Sequence, residues 1–334
     1  MKNIQIRNRK IGCGYKTFIV AEIGFNHNGD MALAVKMIKA AAKAGVDAVK
    51  FQTFKASDLF FESSKQFNVI KCCELSLDDH IKLAKVAYEH DVEFLSTPFS
   101  MDSVDILEKI NVPAYKVASM DLTNLPLLKY IAAIGKPMFV STGMATLREI
   151  AEAVETIKNV GNDHIVLLHC ISKYPTAPEE ASLQNISVLK DTFNLPVGYS
   201  DHVLGNATSI AAVVLGACVV EKHFTTDKDL PGPDHKISAD PGEMTVLVQD
   251  IRTVEAGMGI QSAKVDRPDS EEAGIFRRSL FADIDIKEGT VITADMVKCI
   301  RPEDGLLPKY LDLVIGRVAR RDIQKEESIT WKVI

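Results

Sequence analysis

Two histidines, His202 and His223, each close an apolar run that reads as a β-strand, the first in LPVGYSDH (195–202) and the second in ACVVEKHF (217–224). Neutral imidazole is the commonest nitrogen ligand for Zn, Mn or Fe. A lone histidine on a strand is more often a satisfied core residue. Two at equivalent strand ends, with Glu22, Asp201 and Asp234 in reach, point to a metal instead. Two imidazoles with optional carboxylates leave positions open for water or substrate, as catalysis requires. A metal so held polarises an aldehyde oxygen as a Lewis acid. The chain has no HExxH and no His-rich tract, so the metal rests on fold geometry alone. Lysines are the second group. Lys50 and Lys116 lie at the ends of two earlier apolar runs, and Thr97, Ser119, Ser141 and Ser200 lie at the ends of others. One such hydroxyl often only satisfies local backbone. As a set, lysines and hydroxyls suit a phosphate plus a carboxylate. A lysine in such a place also admits a Schiff base through an amine of lowered pKa, with Lys116 or Lys222 as its bearer.

These residues need elements that bring them together. Short β-rich runs span 18–25, 48–53, 92–97, 114–118, 138–142, 165–170, 196–200 and 218–223. Amphipathic helical patterns fill most of the gaps, at 31–44, 77–90, 103–110 and 147–160, with an N-cap signal at Asn28 to Asp30 and Gly45 closing the first. Alternation of strand and helix implies parallel strands with right-handed crossovers. Eight units at this length predict a (β/α)8 TIM barrel, whose site forms at the C-terminal ends of the strands. A doubly wound sheet is the weaker alternative, because no GxGxxG opens the first unit. Lys50 and Gln52 are two apart and share a strand face, as do Glu221 and His223. Polar residues on an inward face are costly unless they meet partners or a ligand.

The 334 residues carry a net charge of −6, with 46% apolar and 25% charged side chains. That profile suits a globular protein and gives no basic field for nucleic acid. No apolar run reaches the roughly 20 residues of a spanning helix, so no membrane partner is expected. The first sixteen residues carry charge but no apolar core, so no signal peptide is expected there. Six cysteines without CxxC spacing fit a reduced, cytoplasmic protein. Cys170 and Cys218 read as small buried hydrophobes, and the vicinal pair Cys72 and Cys73 as incidental. Residues 1–262 are expected to form the barrel and 263–276 a polar linker. Residues 277–334, dense in short β-like pieces, are expected to form a small β-rich domain whose thin core favours packing on another body.

Taken in order, the strand ends read AEIGFNHNGD (21–30), VKFQTF (49–54), STPFS (96–100), YKVAS (115–119), STGM (141–144), HCISKYPT (169–176), GYSDH (198–202) and EKHFTTDKDLPGPDH (221–235). The set resembles the sialic acid synthase family, phosphoenolpyruvate-dependent enzymes that make nonulosonic acids. RRSLFA (277–282) and RPEDGLLP (301–308) resemble the antifreeze-like (SAF) domain those enzymes carry. The resemblance covers essentially the whole chain. It implies condensation of phosphoenolpyruvate with the open-chain aldehyde of a 2-acetamido-2-deoxyhexose. The enol carbon C3 attacks the aldehyde, water adds at C2, and phosphate leaves by C–O cleavage. It further implies a divalent ion, Mn2+ or Mg2+, on His202 and His223. Phosphoenolpyruvate falls to Lys50, Thr97, Lys116, Ser119, Ser141 and Ser200. Glu22 orients water, and Gln52, Tyr174 and Asp234 lie on the sugar side. Arg301 comes from the partner in a domain-swapped homodimer. Two positions depart from N-acetylneuraminate synthases: Ser172 stands for an asparagine near phosphate, and Asp121 for a glutamate on the sugar side. N-acetylmannosamine is the default acceptor. The sugars of legionaminate, pseudaminate and spore-coat synthases are the alternatives, with a Schiff-base lysine aldolase or a non-enzymatic sugar- or ice-binding module more remote.

Overall fold

A computed structural model describes residues 3–258 and 270–334. Contacts divide the chain into two compact units, Met1–Ile260 and Gln261–Ile334. The first opens with a hairpin of β1 (Ile4–Ile6) and β2 (Arg9–Ile11). Eight parallel strands follow: β3 (Phe18–Glu22), β4 (Ala48–Thr53), β5 (Glu93–Pro98), β6 (Tyr115–Val117), β7 (Met138–Ser141), β8 (Ile165–Cys170), β9 (Val197–Asp201) and β10 (Val219–His223). They close in chain order, with β10 pairing both β9 and β3. The expected barrel is thus the observed one. Its first strand stops at Glu22 rather than Phe25, because Gly24 adopts φ 51° and turns the chain.

The strands obey a period of two. Val20, Ala48, Leu95, Ala114, Phe139, Val166, Leu168 and Val219 fill the barrel's interior. Their neighbours Ile19, Val49, Phe94, Tyr115, Val140, Leu167 and Val220 pack against the helices. Ile4, Ile6 and Ile11 of the hairpin join the interior group and plug its lower end. With the bottom filled by apolar side chains, the inward positions at the C-terminal ends are left for chemistry. The helix Met31–Ala44 shows how the surrounding layer is fixed. Asp30 accepts bonds from the Ala32 and Leu33 amides, and Gly45 ends the helix in the left-handed region that glycine adopts without strain. Two helices between β4 and β5, Ala56–Leu59 and Lys65–Lys71, were not expected from the sequence.

In the second unit β11 (Ser279–Ala282) pairs antiparallel with β12 (Val297–Ile300). Single bridges such as Ile286 to Ile323 and Val291 to Val318 tie the rest around Leu280, Ile292, Val314 and Ile329. It is therefore β-like but mostly irregular. The first half of the expected linker, 263–269, lies outside the described residues. Within its second half Ser270–Phe276 forms a helix. Among the described residues no helix is long and apolar enough to cross a membrane.

Candidate active site

The barrel's upper mouth encloses a cavity of about 680 Å3. Its floor is a buried net of four charges. Lys50 Nζ lies 2.9 Å from Glu22 and 3.5 Å from Glu221, and donates to Thr97 Oγ1 at 3.1 Å. Lys116 Nζ and Ser200 Oγ both donate to Glu221 Oε1, at 2.9 Å each. Gln52 Nε2 donates to Glu22 at 3.0 Å. The register explains the convergence, since Glu22 stands level with Lys50 on one side and His223 on the other. Burial would push Lys50 down, but Glu22 and Glu221 beside it raise its amine above the ordinary lysine range. Burial wins at Lys116, whose amine is lowered despite Glu221. Burial also opposes ionisation of Glu221, yet the two lysines hold its carboxyl far below the usual range. At Glu22 burial dominates and the carboxyl is raised.

Beside this floor stand the histidines, ring centroids 5.5 Å apart. His202 Nδ1 donates to the Ile171 carbonyl at 2.7 Å, which leaves Nε2 as its free acceptor. Among the described residues His223 Nδ1 is buried with no hydrogen-bond partner, and an Asp234 carboxylate oxygen lies 3.8 Å away. Burial holds both rings neutral, and His202 pushes His223 down further. Two neutral imidazoles, one with an orphaned buried nitrogen, are a donor set that fits a divalent ion. Among the described residues no group of three or more His, Cys, Asp or Glu could hold a metal ion, so the remaining ligands would come from water or substrate. Tyr174 packs its ring on His202 at 4.2 Å and sets its edge on His223 at 5.8 Å.

A third group surrounds Gly143. Its amide donates to Ser119 Oγ at 3.1 Å, and Ser119 Oγ lies 3.1 Å from Cys170 Sγ. Ser141 Oγ is buried without a partner among the described residues. A Cβ at Gly143 would come within 2.4 Å of Ser172 Oγ and 2.7 Å of Ser119 Oγ. Only glycine leaves this hydroxyl-lined recess open.

The fold brings together Glu22, Lys50, Gln52, Thr97, Lys116, Ser119, Ser141, Ser172, Tyr174, Ser200, His202, His223 and Asp234 around one cavity. Asp121 is not among its lining residues. Ser119–Asp121 is a 3-10 turn, so strand alternation is lost, and the Asp121 carboxylate accepts from Asn124 instead. Arg301 belongs to the second unit, where its guanidinium lies 5.3 Å from the centre of the Phe276 ring. Lys222 does not suit a Schiff base. It faces the helix layer and binds the buried Asp201 at 2.9 Å and the Val203 carbonyl at 2.7 Å. The sequence puts Glu221 on one strand face with His223 but assigns it no role, because its place as counter-charge to both lysines needs the closed barrel.

Residues 37–263 match the NeuB family and residues 277–334 match the SAF domain. An uncharacterized protein of Methanocaldococcus jannaschii is 43% identical, covering 99% of this chain and 98% of its own. The N,N'-diacetyllegionaminic acid synthase of Legionella pneumophila is 39% identical over 98% of this chain and 99% of its own. The structure of an N-acetylneuraminic acid (sialic acid) synthetase from Leptospira borgpetersenii, in complex with citrate, superposes with a TM-score of 0.79. It is 35% identical and covers 81% of this chain and 95% of that one.

Proposed function

The chain belongs to the NeuB family, and from that premise we propose that it condenses phosphoenolpyruvate with the open-chain aldehyde of an N-acetylated hexosamine and water, giving a nonulosonic acid and phosphate. N-acetylmannosamine and the acceptors of legionaminate, pseudaminate and spore-coat sugar synthases fit this chemistry. One observation carries the reading: two buried lysines, their two carboxylates and a neutral histidine pair share one barrel mouth beside a hydroxyl-lined recess.

Lys50 and Lys116 bind the carboxylate and phosphate of phosphoenolpyruvate. Glu221 holds both amines in place before substrate arrives. Ser119, Ser141, Ser172 and the Gly143 recess take phosphate oxygens, and Thr97 and Ser200 complete the anion site. The four-charge floor is neutral when all its members are ionised. A trianionic substrate therefore calls for added positive charge, and His202 and His223 are the residues to hold it as Mn2+ or Mg2+. When bound there, the ion polarises the acceptor's aldehyde oxygen. Glu22, held by Gln52, orients the water that adds at C2. Burial moves its carboxyl toward the range where a carboxylate is an effective base at neutral pH. Tyr174 and Asp234 contact the sugar. Arg301 of a domain-swapped partner closes the mouth, and its planar fork suits amide and hydroxyl groups. The described cysteines are free thiols, which agrees with a cytoplasmic setting.

The test is phosphate release from phosphoenolpyruvate with Mn2+ and a panel of N-acetylated hexosamines. Release that needs both sugar and metal, and that EDTA removes, supports the reading. A covalent adduct with pyruvate trapped on Lys50 or Lys116 by borohydride would replace it with an aldolase.

A further inference from the structure

Four residues flank the two histidines in sequence, and three of them, Asp201, Val203 and Lys222, are tied into one buried net. Asp201 and Lys222 stand level on the paired strands β9 and β10. Lys222 Nζ donates to Asp201 Oδ2 at 2.9 Å and to the Val203 carbonyl at 2.7 Å. Asp201 Oδ1 accepts from the Val203 amide at 2.9 Å. Asp201 Oδ2 also accepts from Ser209 Oγ at 2.5 Å and from Thr208 Oγ1 at 3.1 Å, both in the first turn of the helix Ala207–Val214. Asp201 is 1% exposed and Lys222 3%. Among the described residues, His202 and His223 line the cavity, whereas Asp201, Val203 and Lys222 do not.

Stability alone does not account for this net. A buried ion pair gives up the hydration of both charges, and apolar side chains of similar volume often hold a core as well or better. What an apolar pair lacks is direction. The peptide joining His202 to Val203 is held at both ends: its carbonyl accepts from the Thr176 amide at 2.9 Å, and its N–H donates to Asp201. Lys222 fastens the next carbonyl and, as the neighbour of His223, links that turn to β10. Two imidazoles on different strands share an ion only when each is placed to within roughly 0.5 Å. The net fixes the backbone that carries both.

We infer that Asp201 and Lys222 are positioning residues for the histidine pair: their bonds to Val203 and to each other set the spacing of His202 and His223 for one divalent ion, without touching ion or substrate. The inference rests on the reading above that the histidines hold that ion.

The experiment measures, on the full-length protein, Mn2+ affinity by electron paramagnetic resonance of the free ion and phosphoenolpyruvate affinity in EDTA by equilibrium dialysis. The wild type is compared with the double variant Asp201→Asn, Lys222→Met. That variant leaves no buried charge unpaired. Its asparagine keeps an oxygen for the Val203 amide and turns its nitrogen to the hydroxyls of Thr208 and Ser209, so the bonds lost are those of the ammonium. The expected Tm is within a few degrees of the wild type. Mn2+ affinity should fall by at least tenfold, the lower end of the roughly 10- to 100-fold that follows loss of a group supporting metal ligands. Phosphoenolpyruvate affinity should hold, because Glu221 fixes Ser200, Lys50 and Lys116 independently. Asp201→Asn alone, in which an amide nitrogen faces Lys222, should lose Mn2+ affinity in the same direction and decides the matter if the double variant does not fold. Unchanged Mn2+ affinity in a folded variant overturns the inference. So does an equal loss for both ligands, which would make the net a brace for the whole mouth. Mn2+ binding that His223→Ala leaves unaltered overturns the histidine reading itself.

Discussion

The most telling single atom in the mouth is His223 Nδ1, buried and without a hydrogen-bond partner among the described residues. A buried imidazole nitrogen left unpaired costs stability, so its retention points to a ligand that completes it. Replacing the ring therefore separates function from folding. His223→Ala is expected to lose turnover by several orders of magnitude and to keep or raise Tm, because no hydrogen bond disappears and the space opens onto an existing cavity. Steady-state kinetics with thermal unfolding of the same sample checks both halves. Normal turnover would remove the histidine pair from the mechanism. The contrast with Lys222 is instructive, since it lies one residue away and faces outward to Asp201. Strand alternation assigns one residue to the site and its neighbour to the frame.

Among the elements, the turn after β3 carries a pH sensitivity of its own. His27 accepts from the Gly29 amide at 3.1 Å. Burial, with His80 adding to it, lowers its pKa from 6.5 to about 4. The unfolded chain therefore binds a proton near pH 6.5 that the folded chain refuses until about pH 4. Stability is full above the unfolded value and falls as pH drops through that window. Between pH 7 and pH 5 the loss is about 2 kcal/mol from this residue. His27→Gln keeps an acceptor but does not titrate, so its urea midpoint should fall less over that range. Identical slopes for both proteins would place the sensitivity elsewhere. The elements were also where the sequence was most and least legible. The eight strands stood out because each is a buried run with a polar end. The helix 31–44 was marked by Asp30 and Gly45, the residues that cap it. The hairpin Ile4–Ile6 with Arg9–Ile11 went unread because its isoleucines sit among lysines and arginines, and only the closed barrel shows what they plug. The helices Ala56–Leu59 and Lys65–Lys71 are too short to show a period, so the cavity-lining Leu59, Val69 and Ile70 that they carry went unread. Asp121 was carried over by resemblance alone, and it lies in a 3-10 turn where its carboxylate accepts from Asn124.

For the whole molecule, the two units pose the question of how many chains make one site. The proposed swap has a sharp consequence. A His223→Ala chain has a dead barrel and a sound Arg301, whereas an Arg301→Ala chain has the reverse. Each alone should be weak or inactive. Unfolded and refolded together, they should recover activity in the mixed dimers, where a sound barrel meets a sound Arg301. No recovery above the sum of the two would mean that each barrel uses its own tail or none. Beneath the question of assembly lies the reaction, and isotope tracing reaches it most directly. Phosphoenolpyruvate labelled with 18O in the bridging C–O–P position is incubated with the protein, Mn2+ and an amino sugar acceptor, and both products are weighed by mass spectrometry. The account predicts a nonulosonic acid three carbons longer than its acceptor, with the label carried away in phosphate and the new C2 oxygen drawn from water. Label retained in the sugar, or pyruvate released without a new C–C bond, would contradict it.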